Sequence, residues 1–515
     1  MKKISFGLIA AIVMVGMADT ARADWLRADT ESFIIYSESN EKQLREFAAN
    51  LQRFDTTLRL VFNVAAKGEE SRLPIYLLPG RDDVARLATG SRSAPVSGFY
   101  RQSRDGSFAL SHLQNDSSAP GTSPAQQVLF HEYSHHFMKR HLRVAFPGWF
   151  IEGFAEYYST VDFDKEGRAM IGQPAYRRAY GLLMLPKMPA ERVLLEPPSA
   201  MRSRGQTDVY YGRSWLLTHM LFHDPARANQ VNTYTNAINA GTEPRKAATD
   251  AFGDLAQLDK DLNRYVQGRL SYRTTRDPVP VSTTIKITPL SADEDAAMML
   301  RIERLNARGD QARLTKVRDD LRALAAKLPA NPDLQYELAA AEWDIAPATR
   351  DLAAMRAALD KLLAAKPEHV RGNVLLGQLQ LYGLRQKGET DPAAWKTARR
   401  PIQIANRADP NDPIPLYAYF QSFLTERTRP SDMAIKGLER AFVLTPENLS
   451  LRSAYAVSLA HLGRFGPAIN LAKTVAFDPH DNGRGDALLK RIETMRDRGA
   501  GPQQAPEDDS ADAGQ

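Results

Sequence analysis

The sequence predicts an α+β unit followed by an all-α array of helical repeats. Three observations carry that expectation. Within residues 25–78 a short apolar run, a helical pattern and a second apolar run alternate. From residue 123 to about 273 apolar residues recur mainly at helical spacing. Beyond residue 290, prolines return at 329, 367, 410, 446 and 479, each between two helical stretches.

The elements follow in order. Phe33-Ile34-Ile35-Tyr36 reads as a strand. Residues 42–62 carry Leu44, Phe47, Leu51, Phe54 and Leu58 on one helical face, and residues 74–78 read as a second strand stopped by Pro79-Gly80. Residues 89–122 are rich in Ser, Gly and Asn. They hold a candidate hairpin with Phe99-Tyr100 and Phe108-Ala109-Leu110 as its apolar parts. The expected organisation is therefore an α/β part over 24–122, a helical part over 123–273, a Thr/Pro-rich linker over 274–289 and helical repeats over 290–498. The end of the chain, 499–515, has no large apolar residue and is expected to be disordered.

Composition bounds the function. The chain has 515 residues, 43% hydrophobic and 25% charged, which is globular material for several domains. The net charge is +6, and Lys2, Lys3 and Arg22 against Asp19 supply +2 of it. The remaining cations are dispersed, so no nucleic-acid partner is expected. There is no cysteine, which excludes a disulfide framework, a thiolate metal site and a cysteine nucleophile. Met1-Lys2-Lys3, an apolar run over 4–18 and Ala21-Arg22-Ala23 form a signal-peptide pattern over 1–23. The expectation is export, to the periplasm, without a stable membrane anchor.

The chemistry lies at His131-Glu132-Tyr133-Ser134-His135. On a helix, positions i and i+4 share a face, so both imidazoles reach one ion, while Glu132 is about 100° round and addresses a water. Ser123 is a plausible N-cap, Pro124 suits the first helical position, and Gln126 completes a capping box. A catalytic Zn2+ takes three protein ligands. Glu152, seventeen residues after His135 on a second helix starting near Pro147, supplies the third. Glu156, one turn on, is placed to partner the free ring nitrogen of His131 or His135. His136, His141, His219 and His223 are expected to pack rather than ligate.

His131-Glu132-x-x-His135 followed by Trp149-Phe150-x-Glu152-Gly153-x-Ala155-x-Tyr157 resembles the peptidase MA-like gluzincins, relatives of the aminopeptidase N and thermolysin groups. The resemblance covers residues 25–270, and its specific part is 128–158. It implies a zincin-like metallopeptidase domain of α+β class. In that domain Zn2+ is held by His131, His135 and Glu152, and Glu132 is the general base. It also implies a tyrosine stabilising the oxyanion. Tyr211, in Tyr211-Gly212-Arg213-Ser214 ahead of an apolar helix over 215–222, fits that role, with Tyr210 as its rival. No Gly-x-Met-Glu-Asn segment is present, which argues against an aminopeptidase. The strand over 108–112 is expected where zincins align substrate along a sheet edge. The proline-bearing turns resemble tetratricopeptide repeats, best over 448–478, and imply a protein partner or substrate for the array. The expected function is an exported zinc peptidase acting on a protein or peptide. The alternative is an exported repeat scaffold with an inactive or structural zincin domain.

Overall fold

A computed structural model of the chain describes residues 25–65, 71–94, 96–113, 122–281, 285–307, 309–479 and 483–499. The segment 1–23 read as a signal peptide, and the tail from residue 500 on, lie outside the described residues. The chain is mostly helical with an N-terminal sheet.

The sheet is built from β1 (Leu26–Asp29), β2 (Phe33–Ser37), β3 (Leu73–Leu78), β4 (Phe99–Ser103), β5 (Gly106–His112) and a late strand, described below. Helix α1 (Glu41–Phe62) crosses from β2 to the parallel β3, and α2 (Arg81–Thr89) follows β3. Strands β3 and β5 are also parallel, whereas β4 and β5 form an antiparallel hairpin. Alternation along each strand sorts its side chains onto two faces. Phe33, Ile35, Ile75, Leu77 and Ala109 pack with the predicted stripe of α1. Tyr76, Leu78, Phe108 and Leu110 face the other way, onto Val84 and Leu87 of α2.

Next come α3 (Pro124–His141) and α4 (Gly148–Ser159). A three-stranded sheet is made by β6 (Asp162–Phe163), β7 (Ala169–Ile171) and β8 (Arg273–Thr274). Between β7 and β8 lie α5 (Ala179–Met184), α6 (Ala190–Leu195), α7 (Arg204–His223), α8 (Gln230–Asn239), α9 (Pro244–Phe252) and α10 (Leu255–Tyr265). Phe54 of α1 stacks on Phe130 of α3 with centroids 3.9 Å apart. That pair contributes about 1 kcal/mol beyond its buried area and fixes α3 over the sheet.

Two expectations change. Residues 274–289 are not a plain linker: β8 ends in them, and β9 (Lys286–Pro289) pairs antiparallel with β1, giving the sheet order β4-β5-β3-β2-β1-β9. Pro289 is tolerated because β9 is an edge strand. The other edge is β4, so the strand over 108–112, as β5, is interior and β4 is the edge beside α3.

The array comprises α11 (Ala292–Asn306), α12 (Gln311–Lys327), α13 (Pro332–Asp344), α14 (Leu352–Ala365), α15 (Val370–Lys387), α16 (Pro392–Ala398), α17 (Arg400–Ala408), α18 (Pro413–Glu426), α19 (Asp432–Leu444), α20 (Leu449–His461), α21 (Phe465–Ala476) and α22 (Arg484–Asp497). Four of the repeating prolines sit two residues before a helix N-cap: Asn331, His369, Asp412 and Asn448. Each capping side chain accepts from a first-turn amide. The long interval between Pro367 and Pro410 accommodates the extra short helix α16. Helix α11 also covers the second face of the sheet through Met298, Ile302 and Leu305, so the array begins inside the N-terminal core. Among the described residues, no helix is long and apolar enough to cross a membrane.

Candidate metal centre

Helix α3 starts at the expected N-cap, with Pro124 in the first turn and Ser123 accepting from the Gln126 amide, but only this half of the expected capping box is formed. Its apolar residues Leu129, Phe130 and Phe137 anchor it in the core and leave His131 and His135 on one side. Helix α4 runs alongside, and Gly153 explains how close it comes to α7. A Cβ there would lie 2.2 Å from Thr218 Oγ1 and 2.4 Å from the Ser214 carbonyl. Only glycine lets the two helices touch at this point, one residue from Glu152.

The pattern residues meet. His131 Nε2 and His135 Nε2 are 3.1 Å apart, and Glu152 Oε2 is 3.5 Å from each. All three residues are buried, with Glu152 fully so. A tetrahedral Zn2+ with ligands at about 2.0–2.1 Å needs donor–donor separations of about 3.3–3.4 Å. The triangle therefore fits one face of such a site, and two imidazole nitrogens with one carboxylate oxygen are a donor set that leaves a fourth position open. A buried carboxylate between two rings also calls for positive charge.

Glu156 lies one turn beyond Glu152 and is fully buried. Its Oε1 is 3.1 Å from His131 Nδ1. Burial opposes its charged form, but Arg177, Arg178 and His131 hold its carboxyl well below the usual carboxylate range. Arg177 and Arg178 each donate to it at 2.8 Å, and Arg178 also pairs with Asp208 at 2.7 Å. Burial alone would lower His131, yet Glu156 and Glu152 push it up to about 9. The raised His131 value reflects the two carboxylates packed against its ring, a setting that a cation relieves.

Glu132 is half-buried beside the triangle and accepts from the Tyr100 N–H of edge strand β4 at 3.3 Å. Tyr211 and Tyr210 part ways. The Tyr211 ring stacks against His131 with centroids 6.2 Å apart, and Arg178 lies over it at 5.1 Å. Burial, with Glu152, Glu156 and Glu132 nearby, pushes its phenol up, so it stays a neutral donor. Tyr210 is fully buried and donates to the Glu196 carbonyl. The helix carrying both starts at Arg204, well before residue 215, because Ser203 caps it.

The remaining histidines pack. His219 and His223 stack at 4.2 Å. His219 contacts the Tyr265 hydroxyl and the Gly172 carbonyl, and His223 contacts the Tyr157 hydroxyl and Ser271. His136 Nδ1 lies 3.3 Å from the Tyr100 hydroxyl, and the His141 ring tilts against Phe137 at 4.6 Å.

Arg177, Arg178 and the Tyr100 amide are parts of the pocket that the pattern alone does not reach. They come from a 3-10 turn and an edge strand, where no periodicity marks a position.

No family model matches the chain, and no curated protein matches it. Among solved structures, the crystal structure of a thermophilic TPR protein from Thermus thermophilus is similar at 18% identity. The match covers 40% of this chain and 98% of that one, with a TM-score of 0.31.

Proposed function

We propose that the chain is an exported zinc-dependent peptidase of gluzincin type, and not an aminopeptidase. The observation that carries this reading is the buried triangle of His131, His135 and Glu152 with Glu132 beside it. Zn2+, when bound, supplies Lewis-acid polarisation of the scissile carbonyl and lowers the pKa of water.

The chain's own residues do the rest. Glu132 accepts the proton of the attacking water and returns it to the leaving amine. The Tyr100 N–H orients that carboxylate. Glu156 accepts a hydrogen bond from His131 Nδ1–H, which leaves Nε2 to face the other donors. Tyr211, protonated, donates to the developing oxyanion. Export rests on the pattern over residues 1–23. The array is assigned the binding of a protein partner or substrate, since stacked helix pairs present extended surfaces for that purpose.

The test compares wild type with Glu132→Gln on casein or a mixed-peptide digest, with metal content measured in both. Cleavage is expected to fall by about a thousandfold at unchanged metal content. Equal cleavage by both sinks the assignment of Glu132. Metal in both with cleavage by neither favours the scaffold alternative.

A further inference from the structure

The array does not stand apart from the metal pocket. Its first helices turn their polar side chains onto the N-terminal unit. The β4–β5 hairpin turn, Arg104-Asp105, is gripped by three of them. Arg304 of α11 reaches Asp105 Oδ2 at 2.5 Å, Tyr336 of α13 donates to Oδ1, and Arg371 of α15 donates to the Asp105 carbonyl at 3.2 Å. Arg104 pairs with Asp344 at 3.1 Å. Further along β4, Gln102 donates to the Glu447 carbonyl at 2.6 Å and accepts from the Leu449 N–H at 3.2 Å.

The same array grips α3. Arg140 reaches Glu447 at 2.8 Å and the Leu444 carbonyl at 2.8 Å, and Arg452 donates to the Lys139 carbonyl at 2.5 Å. Edge strand β4 and helix α3 are the two elements that meet where the Tyr100 N–H reaches Glu132. Gln102 is two residues from Tyr100 on the same short strand, so a hold on Gln102 limits how far the backbone carrying that N–H can shift.

We propose that the helical array is part of the catalytic apparatus. By fixing Asp105 and Gln102 on one side and Arg140 on the other, it sets the spacing between β4 and Glu132. Asp105 and Gln102 are positioning residues that act through Tyr100 and touch no reacting atom. The catalytic half of this inference rests on the peptidase reading, whereas the hold on β4 does not.

Asp105→Ala is a clean probe because Arg304 keeps Glu337 at 2.7 Å and Asp344 at 2.9 Å, so no buried cation is stranded. Hydrogen exchange of residues 99–103, metal content, kcat and KM are compared for wild type, Asp105→Ala and Asp105→Asn in the full chain. In Asp105→Ala, exchange over 99–103 is expected to quicken about tenfold while exchange over 124–141 and 352–365 holds. The kcat is expected to fall about tenfold, with KM and metal content little changed. Asp105→Asn, which keeps an acceptor for Tyr336, falls between the two. Unchanged exchange over 99–103 overturns the hold on β4. Faster exchange with unchanged kcat overturns the catalytic role. A wild type that binds no metal and cleaves nothing overturns that role together with the peptidase reading, and the exchange measurement still decides whether the array holds the strand.

Discussion

The candidate metal pocket and the helical array are built in opposite ways. The pocket concentrates buried charge. Glu152 and Glu156 are fully buried, and His131, Arg177 and Arg178 gather round them. Its parts come mostly from α3, α4 and the turn before α5. The array spreads one modest device along its length, a proline turn followed by a capping residue and an apolar helix pair. The pocket is thus sensitive to single atoms, whereas the array should yield a little at a time.

Three substitutions sharpen that contrast. The largest effect belongs to Gly153→Ala. A Cβ there meets the Ser214 carbonyl and Thr218, so α4 must move off α7, at a cost of about 3 kcal/mol. Thermal unfolding with a zinc titration should show loss of both stability and affinity. A variant as stable as wild type breaks the claim that this close approach sets Glu152. Next is Glu156→Gln, which keeps the size but removes the charge facing His131, Arg177 and Arg178. Metal affinity is expected to fall about 10–100-fold, read against a chromophoric chelator.

The smallest effect lies in the array. His369 caps α15, its Nδ1 accepting from the Gly372 N–H at 3.0 Å. Burial lowers its pKa to about 4, with Lys366 and Arg301 adding to the effect against Asp333. The folded array therefore favours neutral His369 relative to an unfolded value near 6.5. Its contribution is complete above about pH 6.5 and fades as pH falls toward about 4. Denaturant unfolding at pH 7 and pH 4.5 should show this loss in wild type and less of it in His369→Asn. An equal loss in both removes His369 from the account.

Much of the pocket was legible because its chemistry is local. His131 and His135 are one turn apart, and Glu152 follows after a short connection, so spacing alone brings them to one place. Tyr211 was separable from Tyr210 only in three dimensions, since both lie on one helix and differ in which way they turn. The apolar stripe of α1 was readable for the same local reason. What the pattern missed is long-range. Strand β9 hides in a Thr/Pro-rich stretch, and Ile287, with Ile285 just before the strand, is too short an alternation to stand out beside Pro289. The edge position of β4 depends on strand order, which no single segment encodes. The grip on Asp105 joins residues about 200 to 270 positions apart, and nothing at either end announces the other.

The peptidase reading stands on Zn2+ held by His131, His135 and Glu152. Its most direct test is the metal content of the purified, dialysed chain beside that of Glu152→Ala. About one Zn2+ per chain is expected in wild type and little in the variant. A wild type without zinc, or equal zinc in both, contradicts it.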